Sequence, residues 1–185
     1  MHNDIDQVLI PHARIARRIA ELAQQITLDH TPPVLDGRAE VTLVPIMTGA
    51  MIFCADLMRQ LPMRMRIGLV TVSSYPGRSL HSQGARVLSE ALGNQAGRHI
   101  LLIDDILDSG QTIRLVRQLL LEQGPVSVKT CVLLRKPTEG AARTPVDYVG
   151  FDIPDAFVVG YGLDYGDYYR NLPDIVTLKR RVTHP

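Results

Sequence analysis

Two periods alternate along the chain. After VLIP, the apolar residues Ile15, Ile19, Leu22 and Ile26 recur three or four positions apart, with Arg14, Arg17, Arg18 and Glu21 between them. That spacing predicts an amphipathic helix. HTPPVLDG, from His30 to Gly37, breaks the pattern with two prolines and reads as a loop. VTLVPIM, apolar but for Thr42, reads as a buried strand; GAMIFCADLMRQL reads as a helix closed by Pro62, and MRIGLVTV as a second strand. SSYPGRSLHSQGAR, from Ser73 to Arg86, is polar, rich in turn formers and longer than most connections in a compact domain, which is the signature of a functional or disordered loop.

The second half repeats the alternation. A short strand is expected near Val87 and a turn through Gly93 and Gly97, after which HILLI reads as a strand. The next helix turns Ile113, Val116, Leu119 and Leu120 inward, leaves Arg114 and Arg117 outside, and stops at Gly124-Pro125. VSVKTCVLL, VDYVGF and AFVVGYGL are β-branched or aromatic and read as further strands. Strands alternating with helices imply an α/β fold with a mainly parallel central sheet flanked by helices. Ligands of such sheets bind beyond the carboxyl ends of the strands.

At 185 residues the chain suits a single domain, 1–185, with a full core. A net charge of +1 gives no global field for nucleic acid, so an anionic ligand needs a local site. Cys54 and Cys131 sit among apolar residues and read as reduced core thiols. No apolar run reaches the ~18 residues of a membrane span, and MHNDIDQVLIPH lacks the order of a signal peptide. A cytoplasmic protein with no membrane partner is expected. None of the six histidines forms a metal-ligand pair, which argues against zinc.

The candidate chemistry lies in HILLIDDILDSGQTIRLV, where a strand feeds a helix through Asp104, Asp105 and Asp108. The amides of a helix N-terminus are unpaired, point outward and carry partial positive charge. Ser109 and Thr112 add hydroxyls, Gly110 lets the backbone come close, and Gln111 stands where a Walker loop would carry lysine. This is a seat for a phosphomonoester. Carboxylates would repel phosphate alone, but Asp104 and Asp105 can accept from sugar hydroxyls or hold hydrated Mg2+, and Asp108 can face the reacting group. A phosphoribosyl diphosphate satisfies all three.

LLIDDILDSGQT closely resembles the 5-phosphoribosyl-1-diphosphate (PRPP) signature of the type I phosphoribosyltransferases. LLRKPTEG and VDYVGFDIPDAFVVGYGLDYGDYYRNLPDI resemble the hypoxanthine-guanine branch of that family, and PIMTGAMIF and VSSYPG match it more loosely. The resemblance implies a small hood beside the central sheet and a mobile lid over about 73–86, with Ser74 and Tyr75 as the lid pair. It implies that Thr48 and Gly49 form a diphosphate loop, often entered through a cis peptide, and that Arg170 contacts diphosphate. Family members commonly carry lysine or arginine in place of Thr48, so fewer charged contacts are expected here. Asp164 resembles the family's metal-binding aspartate, and the backbone of Val158 its purine-edge contact.

The side chains agree with that likeness. Phe157 offers a ring for stacking. Lys136 offers a donor for a 6-oxo group and meets adenine's amino group donor to donor. The expected reaction is Mg2+-dependent transfer of phosphoribosyl from PRPP to hypoxanthine or guanine, with Asp108 as catalytic base, in a homodimer or homotetramer. Two alternatives remain open: a nucleic-acid-binding regulator on the same fold, and a xanthine-preferring enzyme.

Overall fold

The computed structural model describes residues 2–30, 41–73 and 86–183. The lid residues Ser74 and Tyr75 and most of the His30–Gly37 loop lie outside the described residues. The elements run β1 (Ile5–Ile10), α1 (His12–His30), β2 (Val41–Met47), α2 (Met51–Met58), β3 (Met65–Ile67), β4 (Leu69–Ser73), β5 (Arg86–Ala91), β6 (His99–Leu107), α3 (Gln111–Leu121), β7 (Ser127–Arg135), α4 (Glu139–Ala142), β8 (Tyr148–Asp152), β9 (Val158–Val159), β10 (Ile175–Leu178) and α5 (Arg180–Thr183).

The main sheet has the order β5-β4-β2-β6-β7-β8, with β3 also paired to β2. Every pairing in it is parallel except β4 with β5. Strand alternation sends successive side chains to opposite faces. Leu101 and Ile103 of β6 therefore join Ile15, Ile19, Leu22 and Ile26 of α1 and Phe53 and Leu57 of α2 in one apolar layer. Ile100 and Leu102 join Ile113, Val116 and Leu120 of α3 in the other. Cys54 and Cys131 are free and buried, and burial pushes the Cys54 thiol up to about 11.

Four details differ from the periodic reading. MRIGLVTV is two strands, split at Gly68, where an added Cβ would sit 3.0 Å from Leu92. The strand that begins as HILLI runs on through both aspartates to Leu107, because β7 pairs with it that far. Of AFVVGYGL only Val158–Val159 is strand, because positive φ angles at Gly160, Tyr161 and Gly162 bend the chain away. Leu119 is half-buried, at the margin of its helix's inner face.

β9 does not join the main sheet. It pairs with β10, which pairs with β1, in a three-stranded antiparallel sheet built from both ends of the chain. This is the small hood, with its own core of Val159, Leu172, Val176 and Leu178.

Because β6 carries the acids and lies between β2 and β7, packing beneath it should be felt directly. Ile103→Ala is expected to cost about 2–5 kcal/mol in urea unfolding. Ile103 is fully buried, and a midpoint equal to the parent's would show that this layer is not close-packed.

Candidate active site

The cleft begins where β6 ends. Asp104 is buried and Asp105 half-buried on the last turns of the strand; Asp108 and Ser109 are exposed just beyond it. Gly110 then takes φ 70, a left-handed conformation that glycine adopts without strain, and α3 starts at Gln111. No side chain caps this helix. Its first intrahelical bond runs from Arg114 N–H to Gly110 O, 3.0 Å, and the Gln111 N–H reaches Ser109 Oγ only at 3.4 Å. The first-turn amides are therefore left to a ligand or to water.

The loop is held from beneath by α4. Thr138 Oγ1 donates to Asp108 O at 2.6 Å and accepts from Ala141 N–H at 3.1 Å. Gly140 lies so close that a Cβ there would sit 2.3 Å from Ser109 O. Thr144 Oγ1 donates to Gly140 O at 2.7 Å and accepts from Arg114 Nη1 at 2.6 Å, while a Cβ on Gly110 would stand 1.9 Å from it.

The opposite wall is the turn after β2. The Met47–Thr48 peptide bond is cis. A Cβ on Gly49 would stand 2.0 Å from Asp105 Oδ2, so only glycine fits against that carboxylate. Gly162, at φ 104, brings the hood equally close: its Cβ would fall 2.3 Å from Gly49 O. From the hood, Arg170 Nη1 donates to Gly162 O at 2.8 Å and pairs with Asp164 Oδ1 at 2.9 Å, and its Nη2 pairs with Asp167 Oδ1 at 3.0 Å. Asp164 Oδ2 accepts from Asp167 N–H at 2.8 Å.

Between these walls lies a cleft of about 690 Å³. Ten of the expected residues line it: Thr48, Gly49, Asp104, Asp105, Asp108, Ser109, Gly110, Thr112, Asp164 and Arg170. Gln111 contributes the exposed first position of α3 and is not among them. Lys136 stands at the margin, its Nζ 2.9 Å from Asp108 Oδ2 and 3.1 Å from Asp155 Oδ1. Phe157 is exposed, packed edge-to-face on Tyr165 at 5.5 Å, and Val158 is buried in β9; neither lines the cleft.

Sequence reasoning missed Asp155 and Asp167. Both are acids in turn-rich stretches, and nothing local says which cation they meet. It also missed the apolar floor supplied by Ile46 and Ile106.

The electrostatics are one-sided. Burial pushes the Asp104 carboxyl well above the usual carboxylate range, and the charge of Asp105 adds to this. Burial also raises Asp105, opposed by hydrogen bonding to Asp104, by the Ile106 N–H and by the charge of Arg170. At Lys136, burial works against the charge, but hydrogen bonds to Asp108 and Asp155 outweigh it and hold the ammonium above the usual lysine range. Among the described residues no three His, Cys, Asp or Glu side chains converge as a metal cage. Mg2+ is usually held by one or two carboxylates completed by phosphate oxygens and water. Asp164, third-exposed at the cleft wall, and the acids of β6 fit that donor set.

The comparisons with known proteins point the same way. Residues 6–166 match the model of the phosphoribosyl transferase domain. The chain belongs to the phosphoribosyltransferase family. This phosphoribosyltransferase is 38% identical over 169 residues to hypoxanthine phosphoribosyltransferase of Escherichia coli, covering 91% of this chain and 93% of that one. It is 39% identical over 179 residues to hypoxanthine-guanine phosphoribosyltransferase of Mycobacterium tuberculosis, covering 97% and 89%. Its fold is similar to that of a hypoxanthine phosphoribosyltransferase from Staphylococcus aureus, with a TM-score of 0.89 at 35% identity over 100% of this chain and 97% of the other.

The Gly49–Asp105 contact gives a test of the geometry. Gly49→Ala must displace the Asp105 carboxylate or the turn itself. It is expected to lower kcat/KM for the phosphoribosyl donor about tenfold or more, equivalent to ~1.4 kcal/mol of lost transition-state stabilisation. Kinetics equal to the parent's would mean that the wall yields freely.

Proposed function

We infer that this phosphoribosyltransferase serves purine salvage by moving the phosphoribosyl group of PRPP onto hypoxanthine or guanine, releasing diphosphate and forming IMP or GMP. The observation that carries the reading is the pair Lys136–Asp108, a donor and an acceptor 2.9 Å apart at the margin of the cleft. A 6-oxopurine presents its oxo group and its neighbouring imidazole nitrogen side by side on one edge. Lys136 donates to the oxo group. Asp108 accepts from the adjacent N–H. Adenine offers an amino group where Lys136 requires an acceptor, and so is penalised.

The relatives support the same substrates. Curated proteins similar over nearly the whole chain are named for hypoxanthine and guanine, and a structure of the Trypanosoma cruzi enzyme, 34% identical, was solved with its product IMP.

The assigned roles follow from position and chemistry. The 5-phosphate sits on the open amides of α3, with Ser109, Gly110, Gln111 and Thr112. Asp104 and Asp105 accept from the ribose hydroxyls. Thr48, Gly49 and Arg170 receive the diphosphate. Mg2+, when bound at Asp164 and the β6 acids, would screen the diphosphate charge as it leaves. As the bond from the anomeric carbon to diphosphate lengthens, positive charge develops on the sugar, close to the carboxylates of the cleft. The purine nitrogen attacks from the other face, and Asp108 takes the proton from the second imidazole nitrogen. Phe157 and Val158 belong to the purine side of the site, and Ser74 and Tyr75 to a lid that would keep water from the reactive sugar.

Three wider expectations accompany this reading: a homodimer or homotetramer, which rests on the family resemblance, and a cytoplasmic location and no role for nucleic acid, which rest on the sequence. Among the described residues no helix is long and apolar enough to cross a membrane.

Asp108→Asn is expected to lower turnover about 100- to 10,000-fold while leaving the binding of PRPP largely intact. Turnover within about twofold of the parent would remove Asp108 as the base, since general-base help is larger than that. Steady-state assays of hypoxanthine, guanine, xanthine and adenine with PRPP and Mg2+ test the reaction itself. In the same panel Lys136→Ala should weaken 6-oxopurine use and narrow the gap to adenine, and unchanged selectivity would take Lys136 off the purine edge.

A further inference from the structure

The cleft that would receive a highly charged anion is itself acidic. Asp104, Asp105, Asp108, Asp164 and Asp167 all line it, and Arg170 is the one cation among its described lining residues. That cation is already engaged. Its Nη1 serves Asp164 and the Gly162 carbonyl, and its Nη2 serves Asp167.

The two acids hold Arg170 in different ways. Asp164 is anchored at both oxygens, by Arg170 and by the Asp167 N–H, and its side chain is 31% exposed. Asp167 lies three residues before Arg170 and its side chain is 92% exposed. An exposed pair at that spacing contributes little stability and exchanges at little cost. A diphosphate carries more charge and can meet the guanidinium fork with two oxygens at once.

We propose that Asp167 is a placeholder for diphosphate: its carboxylate occupies Arg170 Nη2 in the free enzyme, must be displaced when the donor binds, and reclaims the guanidinium as the product leaves. This rests on the assignment of Arg170 to diphosphate made above. A competing contact lowers the fraction of enzyme ready to bind, and the apparent affinity falls by that fraction. Asp167 thereby weakens diphosphate binding, which speeds release of a product that the single arginine would otherwise retain.

The sign of the effect separates this role from a supporting one. A residue that merely positions Arg170 strengthens binding, so its loss weakens it; a competitor does the reverse. Asp167→Asn is the informative variant. It removes the charge, keeps the backbone N–H on Asp164, and tolerates the φ of 69 found at this position.

Titration calorimetry with inorganic diphosphate at fixed free Mg2+ is expected to show Asp167→Asn binding about three- to fivefold tighter than the parent, the range of an exposed ion pair. The KM for PRPP should fall with it. In an Arg170→Ala background, titrated at higher diphosphate concentration, the same substitution should leave the dissociation constant unchanged. A parent that binds diphosphate while Asp167→Asn binds no tighter overturns the Asp167 proposal alone. An equal gain without Arg170 would reduce Asp167 to a general negative field and also overturns it. A parent that takes up no diphosphate overturns this proposal together with the reading of the cleft.

Discussion

Two adjacent carboxylates carried into a cleft on a strand buried on both faces are the constraint around which the site is arranged. Asp104 and Asp105 both line one cleft, and Asp104 Oδ1 accepts from the Asp105 N–H at 3.1 Å, so the two carboxyls share a single, largely dry setting. Asp105 meets the turn at Gly49, which has room for it only because that residue lacks a side chain. Both carboxyls are raised by burial. A carboxyl raised in the folded state contributes stability below its unfolded pKa and loses it as pH climbs through the folded one. At neutral pH these acids therefore weigh against the free fold, a weight that the sugar hydroxyls or cation proposed for this site would relieve. A site that is unfavourable when empty is preorganised for what fills it.

Much of the fold could be read from apolar runs and helical spacing. Ile15, Ile19, Leu22 and Ile26 lie on the buried face of α1, as their spacing requires, and the parallel sheet follows from strands alternating with helices. Where local pattern fell short at β6 and the hood, the cause is that pairing is non-local. Acidic residues discourage a strand assignment, yet β6 continues through Asp104 and Asp105 because β7 is beside it. The hood joins Ile5–Ile10 to Ile175–Leu178, and no local window contains both.

The site was legible in a similar, partial way. The phosphate seat is contiguous in sequence, so its residues and their chemistry are visible together. The fastening is not. Thr138 and Gly140 brace the loop from about thirty residues away, and Gly162 closes on Gly49 from the hood. Asp155 shares Lys136 with Asp108, and only the fold could reveal that the lysine proposed to read the purine has a second carboxylate to rest on.

That second carboxylate and Asp167 stand in comparable positions. Each cation assigned to a substrate is held in the free protein by one less exposed acid and another that is mostly exposed: Asp108 and Asp155 around Lys136, Asp164 and Asp167 around Arg170. An isolated ammonium or guanidinium in a partly dry cleft would pay a desolvation penalty and wander among rotamers. A paired one is kept in place, yet its exposed partner contributes too little to block the ligand. The acidity of the cleft then has a positive use. It keeps two cations oriented and available, while in the proposed reaction the carboxylates that line it lie where they would offset positive charge developing on the sugar.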